Sequence, residues 1–184
     1  MTRTLLLTAL VTLAPQARAQ EPAFTPSLET LRPLVGEWRG VGQGRWGEFS
    51  AECSFAFVLD GRFLQNRGLG VYPRQEKNED GEIHRTLDLF SFDQRRETLV
   101  LRELDNEGFA TTYYMDRSAS SPQRLVFLAE HLENVPEGWG ARITYELLGD
   151  DEYHETFELD TDERGFRHFL RIRFLRLPEG AASP

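Results

Sequence analysis
One cysteine, Cys53, stands in a chain of 184 residues, so no disulfide can close within it and stability must come from packing. No apolar run approaches the roughly 20 residues that a membrane-spanning helix requires. Lysine is nearly absent, Lys77 being the only one, and the 21 Lys plus Arg are outnumbered by 30 Asp plus Glu. A net charge of −9 repels polyanions, which excludes nucleic acid and anionic membrane as main partners. No segment sustains a helical period long enough for a crossover helix, and parallel strands cannot be connected without one.

Catalytic and metal motifs are missing as well. There is no Gly-x-Ser-x-Gly, and the four histidines are scattered without the context of a triad. Gly40-Val-Gly42-Gln-Gly44 is not followed by a helix, so it is no phosphate loop. Asp160 to Gly165 lacks the third aspartate and the terminal glutamate of a calcium loop, and a hairpin turn accounts for it. Asp150-Asp151-Glu152 with His154 has no partner at metal-ligand spacing. No reaction is assigned on these grounds.

What is present begins with an export signal. Arg3, the apolar stretch Leu5 to Leu13 and the small residues of Ala17-Arg18-Ala19 predict cleavage after residue 19, and an exported, periplasmic or secreted protein. No cysteine follows the apolar stretch, so no lipid anchor is expected. Residues 20–33 form a Pro-rich extension in which Ser27 caps a short helical turn through Leu31 before Pro33 ends it. Residues 34–177 are one domain, and 178–184 a tail, of a monomer or weak homodimer.

Within 34–177 the pattern has a period of two. Phe49, Ala51, Cys53, Phe55, Phe57 and Leu59 alternate with smaller or polar residues, and Asp60-Gly61 turns the chain into Arg62 to Tyr72. Further strands are expected near 82–92, 97–104, 108–115, 124–132, 140–148, 152–160 and 165–177, separated by Asp-, Asn- and Gly-rich turns. Roughly ten strands with short turns predict an all-β, antiparallel up-and-down barrel, because closure removes exposed edges. In Leu34-Val-Gly-Glu-Trp-Arg-Gly-Val-Gly42 the alternation puts Gly36, Trp38, Gly40 and Gly42 on one face, where missing side chains let a neighbour approach the indole.

That glycine-flanked tryptophan, the helical prelude, the meander, Leu59-Asp60-Gly61-Arg62-Phe63 and an Arg-rich last strand resemble the calycin superfamily. Within it the chain is most similar to nitrobindin-like haem-binding barrels and to lipocalin-like domains of bacterial exported proteins. The resemblance covers about residues 28 to 177. It implies that Trp38 packs at the closed end beneath Arg176 or, as the second choice, Arg173. It also implies an interior haem with His168 as axial ligand.

The residues themselves leave alternatives open. Phe166, His168, Leu170, Ile172 and Phe174 share a parity, so His168 is expected inside, either binding iron or hydrogen-bonded to Tyr153 or Glu155. Glu155 is an inward carboxylate between Tyr153 and Phe157, serving as a polar ligand contact or paired with Arg67 or Arg85. Arg67, on the parity of Phe63, Leu69 and Val71, suits a ligand carboxylate. Tyr113 lines the interior with Thr111 and Met115, and Cys53 is an inert small hydrophobe. The leading reading is an interior site for a small apolar or amphipathic ligand, lined by Phe55, Phe57, Tyr113, Tyr153, Phe157 and Ile172 with Arg67, Glu155 and His168 as anchors. Beside it stand the haem protein and a filled barrel acting through an acidic rim at Glu76 to Glu82.

Overall fold
The computed structural model describes residues 24–178 and residue 180. The export signal expected over 1–19, the start of the 20–33 extension and most of the 178–184 tail lie outside the described residues. A 3-10 helix, Leu28–Leu34, precedes ten strands: β1 Gly36–Gly44, β2 Gly47–Val58, β3 Phe63–Tyr72, β4 Glu82–Asp93, β5 Thr98–Asp105, β6 Ala110–Met115, β7 Arg124–Glu133, β8 Gly140–Leu147, β9 Glu152–Asp160 and β10 Arg167–Arg176. Each strand pairs antiparallel with the next, and β1 pairs with β10, so the expected all-β barrel is closed. Pro33 does not end the helical turn as expected; the turn runs one residue further, and the Val35 N–H donates to the Arg32 carbonyl at 3.1 Å.

The helix covers one end of the barrel, which we call the closed end. Its Leu31 and Leu34 are fully buried over Trp38, Phe55, Leu64, Phe90, Leu99 and Phe127. The rings meet edge-on or stacked: Trp38 crosses Tyr153 at 4.8 Å between centroids, and Tyr153 stacks on Phe174 at 4.7 Å. Such pairs add to what their buried area alone contributes.

The seam between first and last strand is fastened here. Trp38 and Arg176 are register partners, and the Arg176 guanidinium lies over the indole at 4.1 Å. Its three nitrogens donate to the carbonyls of Asp150 (2.7 Å), Val35 (2.6 Å) and Pro33 (2.7 Å), while the indole N–H donates to the Leu34 carbonyl at 2.7 Å. One side chain thus joins β10 to the helix, to β1 and to the β8–β9 turn. Gly36 makes room for it: its φ is +129°, and a Cβ there would lie 2.7 Å from the Arg176 guanidinium.

Removing that guanidinium severs three charge-assisted hydrogen bonds and a cation–π contact. Arg176→Ala is therefore expected to lower unfolding free energy by about 3 kcal/mol or more, and Arg176→Lys to recover only part of it. Urea unfolding followed by tryptophan fluorescence measures both; a loss below about 1 kcal/mol for the alanine variant would show that the seam holds without it.

Candidate functional site
Above the closed end, the inward-facing residues form layers set by strand register. Leu64, Phe90, Leu101 and Tyr113 are successive partners across β3–β6, and none is more than 1% exposed. The next layer toward the open end is polar: Asn66, Asp88, Glu103 and Thr111 pair in the same way. On the β8–β10 wall, Tyr145, Glu155 and Ile172 form another row of register partners. A belt of acids therefore rests on a dry hydrophobic floor.

Beyond the belt the lining is mixed. Gly42 and Ala51 are buried, the Phe49 ring filling the space over Gly42 and stacking on Tyr72 at 4.2 Å, while Gly68 and Gly70 carry no side chain. Gly68, Gly70, His84, Thr86, Phe157, Leu159 and Leu170 belong to inward-facing sets yet are half-buried. Water thus reaches them through the open end. Glu103 and Glu155 are half-buried as well, so the accessible interior extends down to the belt.

The belt holds acceptors with few donors. The Asn66 amide nitrogen donates to Asp88 Oδ2 at 2.7 Å, which leaves Asn66 Oδ1 and Asp88 Oδ1 buried without a partner. Burial pushes the Asp88 carboxyl up to about 7, against the downward pull of the Asn66 bond. Burial, then the neighbouring Asp88, raises Glu155 to about 8. Glu103 is raised well above the usual range by burial, then by Asp88 and Glu155, while Tyr113 at its side pulls it down. No Lys or Arg of the described residues faces the belt; Arg67, Arg85 and Arg102 are exposed on the outer face.

Two expected placements are corrected. Arg67 points outward, because β3 turns its other parity inward: Leu64, Asn66, Gly68, Gly70 and Tyr72. The apolar residues that suggested the opposite face, such as Val71, lie on the surface, and Val71 is 38% exposed. His168 is also outside. The register slips between His168 and Leu170, and this bulge seats Phe169 against Phe157 at 5.7 Å, turning His168 to the outer side beside Glu158. Glu155, lacking Arg67 and Arg85, forms no ion pair or hydrogen bond among the described residues. Tyr153 donates to, or accepts from, Cys53 Sγ at 3.1 Å, so it is not the partner of His168.

Tyr113, Tyr153, Glu155, Phe157 and Ile172 do face the interior, while Gly36, Trp38, Gly40 and Arg176 lie along the seam. Asn66, Asp88, Glu103 and His84 complete the inward set and escaped the sequence reading. A haem inside the barrel finds no axial ligand in His168; the inward histidine is His84, at the mouth, bonded to Glu107 at 3.1 Å. Glu82, His84 and Glu107 place one ligand atom each within 4.8 Å of the others at this rim. A groove of about 890 Å³ runs along the outer side of β1, β10 and β9, past Val41, Arg45, His154, His168, Arg171 and Arg173, and reaches Gly42 and Leu159 at its edge.

No protein-family model and no curated protein matches this chain. Solved structures do. Rv2717c from M. tuberculosis superposes with a TM-score of 0.59 at 17% identity, covering 83% of this chain and 98% of that one. The S-type phycobiliprotein lyase CPES from Guillardia theta gives 0.50 at 11% identity, covering 82% and 92%. At these identities the likeness shows a shared closed antiparallel barrel fold.

The belt gives stability a pH signature. Acids whose folded pKa lies above the unfolded value keep a proton on folding, so their contribution is lost as pH rises from about 4, the unfolded range, through about 7 for Asp88 and 8 for Glu155. Glu152, which its hydrogen bond to Arg173 lowers to about 2, acts below that window. The thermal midpoint is expected to fall by at least about 3 °C between pH 5 and pH 8, and Asp88→Asn with Glu155→Gln to flatten the slope. A slope unmoved by both substitutions would show that these carboxyls fold in their ionised form.

Proposed function
We propose that this protein binds a small apolar or amphipathic molecule through the open end of its barrel, as an exported carrier. One observation carries the reading: inward-facing side chains from Gly68 to Glu155 remain accessible to water above a floor that is dry. An interior that is solvated at one end and packed at the other is a cup, and displacing its water onto a molecule with apolar surface is favourable. Phe157, Leu159, Leu170 and Ile172 supply the apolar wall, and the belt supplies polar contacts that fix orientation. The export signal expected over residues 1–19 supports binding outside the cytoplasm. The filled-barrel alternative is weakened by the same accessible residues.

The test is titration with a neutral fluorescent probe such as N-phenylnaphthylamine. The protein is expected to give a saturable rise in emission, and Gly70→Phe to weaken binding at least about tenfold, since one lost contact surface of ring size is worth 1.4 kcal/mol or more. A Cβ at Gly70 meets nothing nearer than 3.7 Å, so a side chain can start there without a clash at the backbone. Val41→Phe, in the outer groove, is expected to leave binding unchanged. An absent rise, or loss of binding through Val41→Phe alone, would overturn the interior site.

A further inference from the structure
The chemistry of the belt narrows the ligand class. Asn66 and Asp88 stand side by side on the inward faces of β3 and β4, 5% and 3% exposed, and each keeps an unpartnered oxygen. When Asp88 is ionised, one amide nitrogen serves three oxygens, and a buried acceptor without a donor is a standing deficit. Glu103, the partner of Asp88 on β5, and Glu155 on β9 add two more acids. A ligand carboxylate or phosphate in this belt would meet three acids and, among the described residues, no Lys or Arg.

We propose that the cup selects amphipathic organic cations, an apolar body bearing a protonated nitrogen whose N–H groups are received by Asp88 and Asn66, with Glu103 and Glu155 beside them. This rests on the interior binding reading and names its ligand class. The N–H donors supply what the unpartnered oxygens lack, and charge-assisted hydrogen bonds to carboxylate are the strong kind. The mouth has the same sign: Glu82 and Glu107 stand at the rim beside His84, steering cations inward. A bare metal ion fits the belt less well, because among the described residues only the rim cluster brings three ligand atoms within 4.8 Å. Acids spread over facing walls suit a ligand of several atoms.

Binding should also release protons. Asp88 faces Asn66, Glu103 and Glu155 within the belt, with Tyr113, Tyr145 and Cys53 as the other titratable groups nearby. The titratable groups among these, together with Asp105 and Tyr153, are acids, so each is neutral or negative and none competes for the cation's place. Affinity for a permanently protonated amine rises as Asp88 and Glu155 ionise.

The experiment compares dodecylamine, dodecanol and dodecanoate below their micelle concentrations as displacers of the neutral fluorescent probe. The amine is expected to bind at least about tenfold more tightly than the alcohol, and dodecanoate more weakly than both, since a charge-assisted bond is worth about 1.5–3 kcal/mol. Asp88→Asn keeps the shape and the amide contact; it is expected to cost the amine about tenfold and to leave the alcohol within about twofold. Glu155→Gln acts in the same direction. Asp80→Asn, the same charge change on the exposed surface, is expected to change nothing. Amine affinity increases from pH 6 to pH 8 while that of the alcohol stays flat. Equal binding of amine and alcohol, or an amine preference that survives Asp88→Asn and Glu155→Gln, overturns the cation site while probe displacement still upholds the cup. Failure of the probe itself to bind defeats the cup as well.

Discussion
Everything in this barrel depends on closing the seam between its first and last strands. A ten-stranded antiparallel sheet is a stable object only if β1 finds β10, since an open edge is a template for association. Trp38 and Arg176 make that pairing specific. They are opposite one another in the register, and the guanidinium spends its hydrogen bonds on the helix, on the entrance to β1 and on the β8–β9 turn. Sliding the seam by one residue would turn Trp38 outward and leave three carbonyls without donors. Outside the barrel, cross-strand pairs such as Arg39–Glu52 and Arg173–Glu152 lie near the same seam, but exposed pairs of this kind contribute little.

Fastening one end in this way sets the character of the other. The large side chains of the interior, from Trp38 and Phe55 to Tyr153 and Phe174, crowd toward the helix, where Leu31 and Leu34 complete a dry core. Toward the mouth the strands carry Gly42, Ala51, Gly68 and Gly70, and there is no second helix among the described residues to cap them. The barrel is thus packed most heavily at one end, with the Phe49–Tyr72 stack the main buried contact toward the mouth. That asymmetry is what permits polar residues at the boundary. Asp88 and Asn66 can sit at the top of the core because the floor below them already supplies the packing.

The architecture was legible to within a few residues because strand alternation and turn chemistry are local. β2 and β9 show their inward faces plainly, Phe49 to Phe57 on one and Tyr153 to Leu159 on the other, since both alternate large apolar residues with polar ones. β3 and β4 mislead. Their outer faces carry Leu69, Val71, Ile83 and Leu87, with Ile83 47% exposed, while their inner faces carry glycine, asparagine, threonine and aspartate. Hydrophobicity reports which face is dry, and in the wet part of a cup neither face is. Only the turn position and the pairing with β2 assign the parity there. In β10 the alternation is regular, but a bulge at Phe169 interrupts it, and nothing in the local sequence distinguishes a bulged residue from a paired one.

That single-residue ambiguity decides chemistry. With Arg67 inside, the barrel would carry a fixed positive charge and receive carboxylates; with Asn66 inside, the same strand adds acceptors to the facing Asp88. The sign of the interior thus follows from register and not from composition. The total charge of −9 says only that acids outnumber bases. The outer faces take Arg39, Arg67, Arg85, Arg102, Arg142, Arg171 and Arg173, several of them paired with acids there, so the acids left over inside have no base to neutralise them. They respond by holding protons, which the raised carboxyls of Asp88 and Glu155 reflect. Protonation lowers the charge and gives Asp88 one O–H donor, but it supplies no base to the acids of the belt. A site in that condition is resolved more completely by a ligand that brings both a charge and N–H groups than by the proton alone.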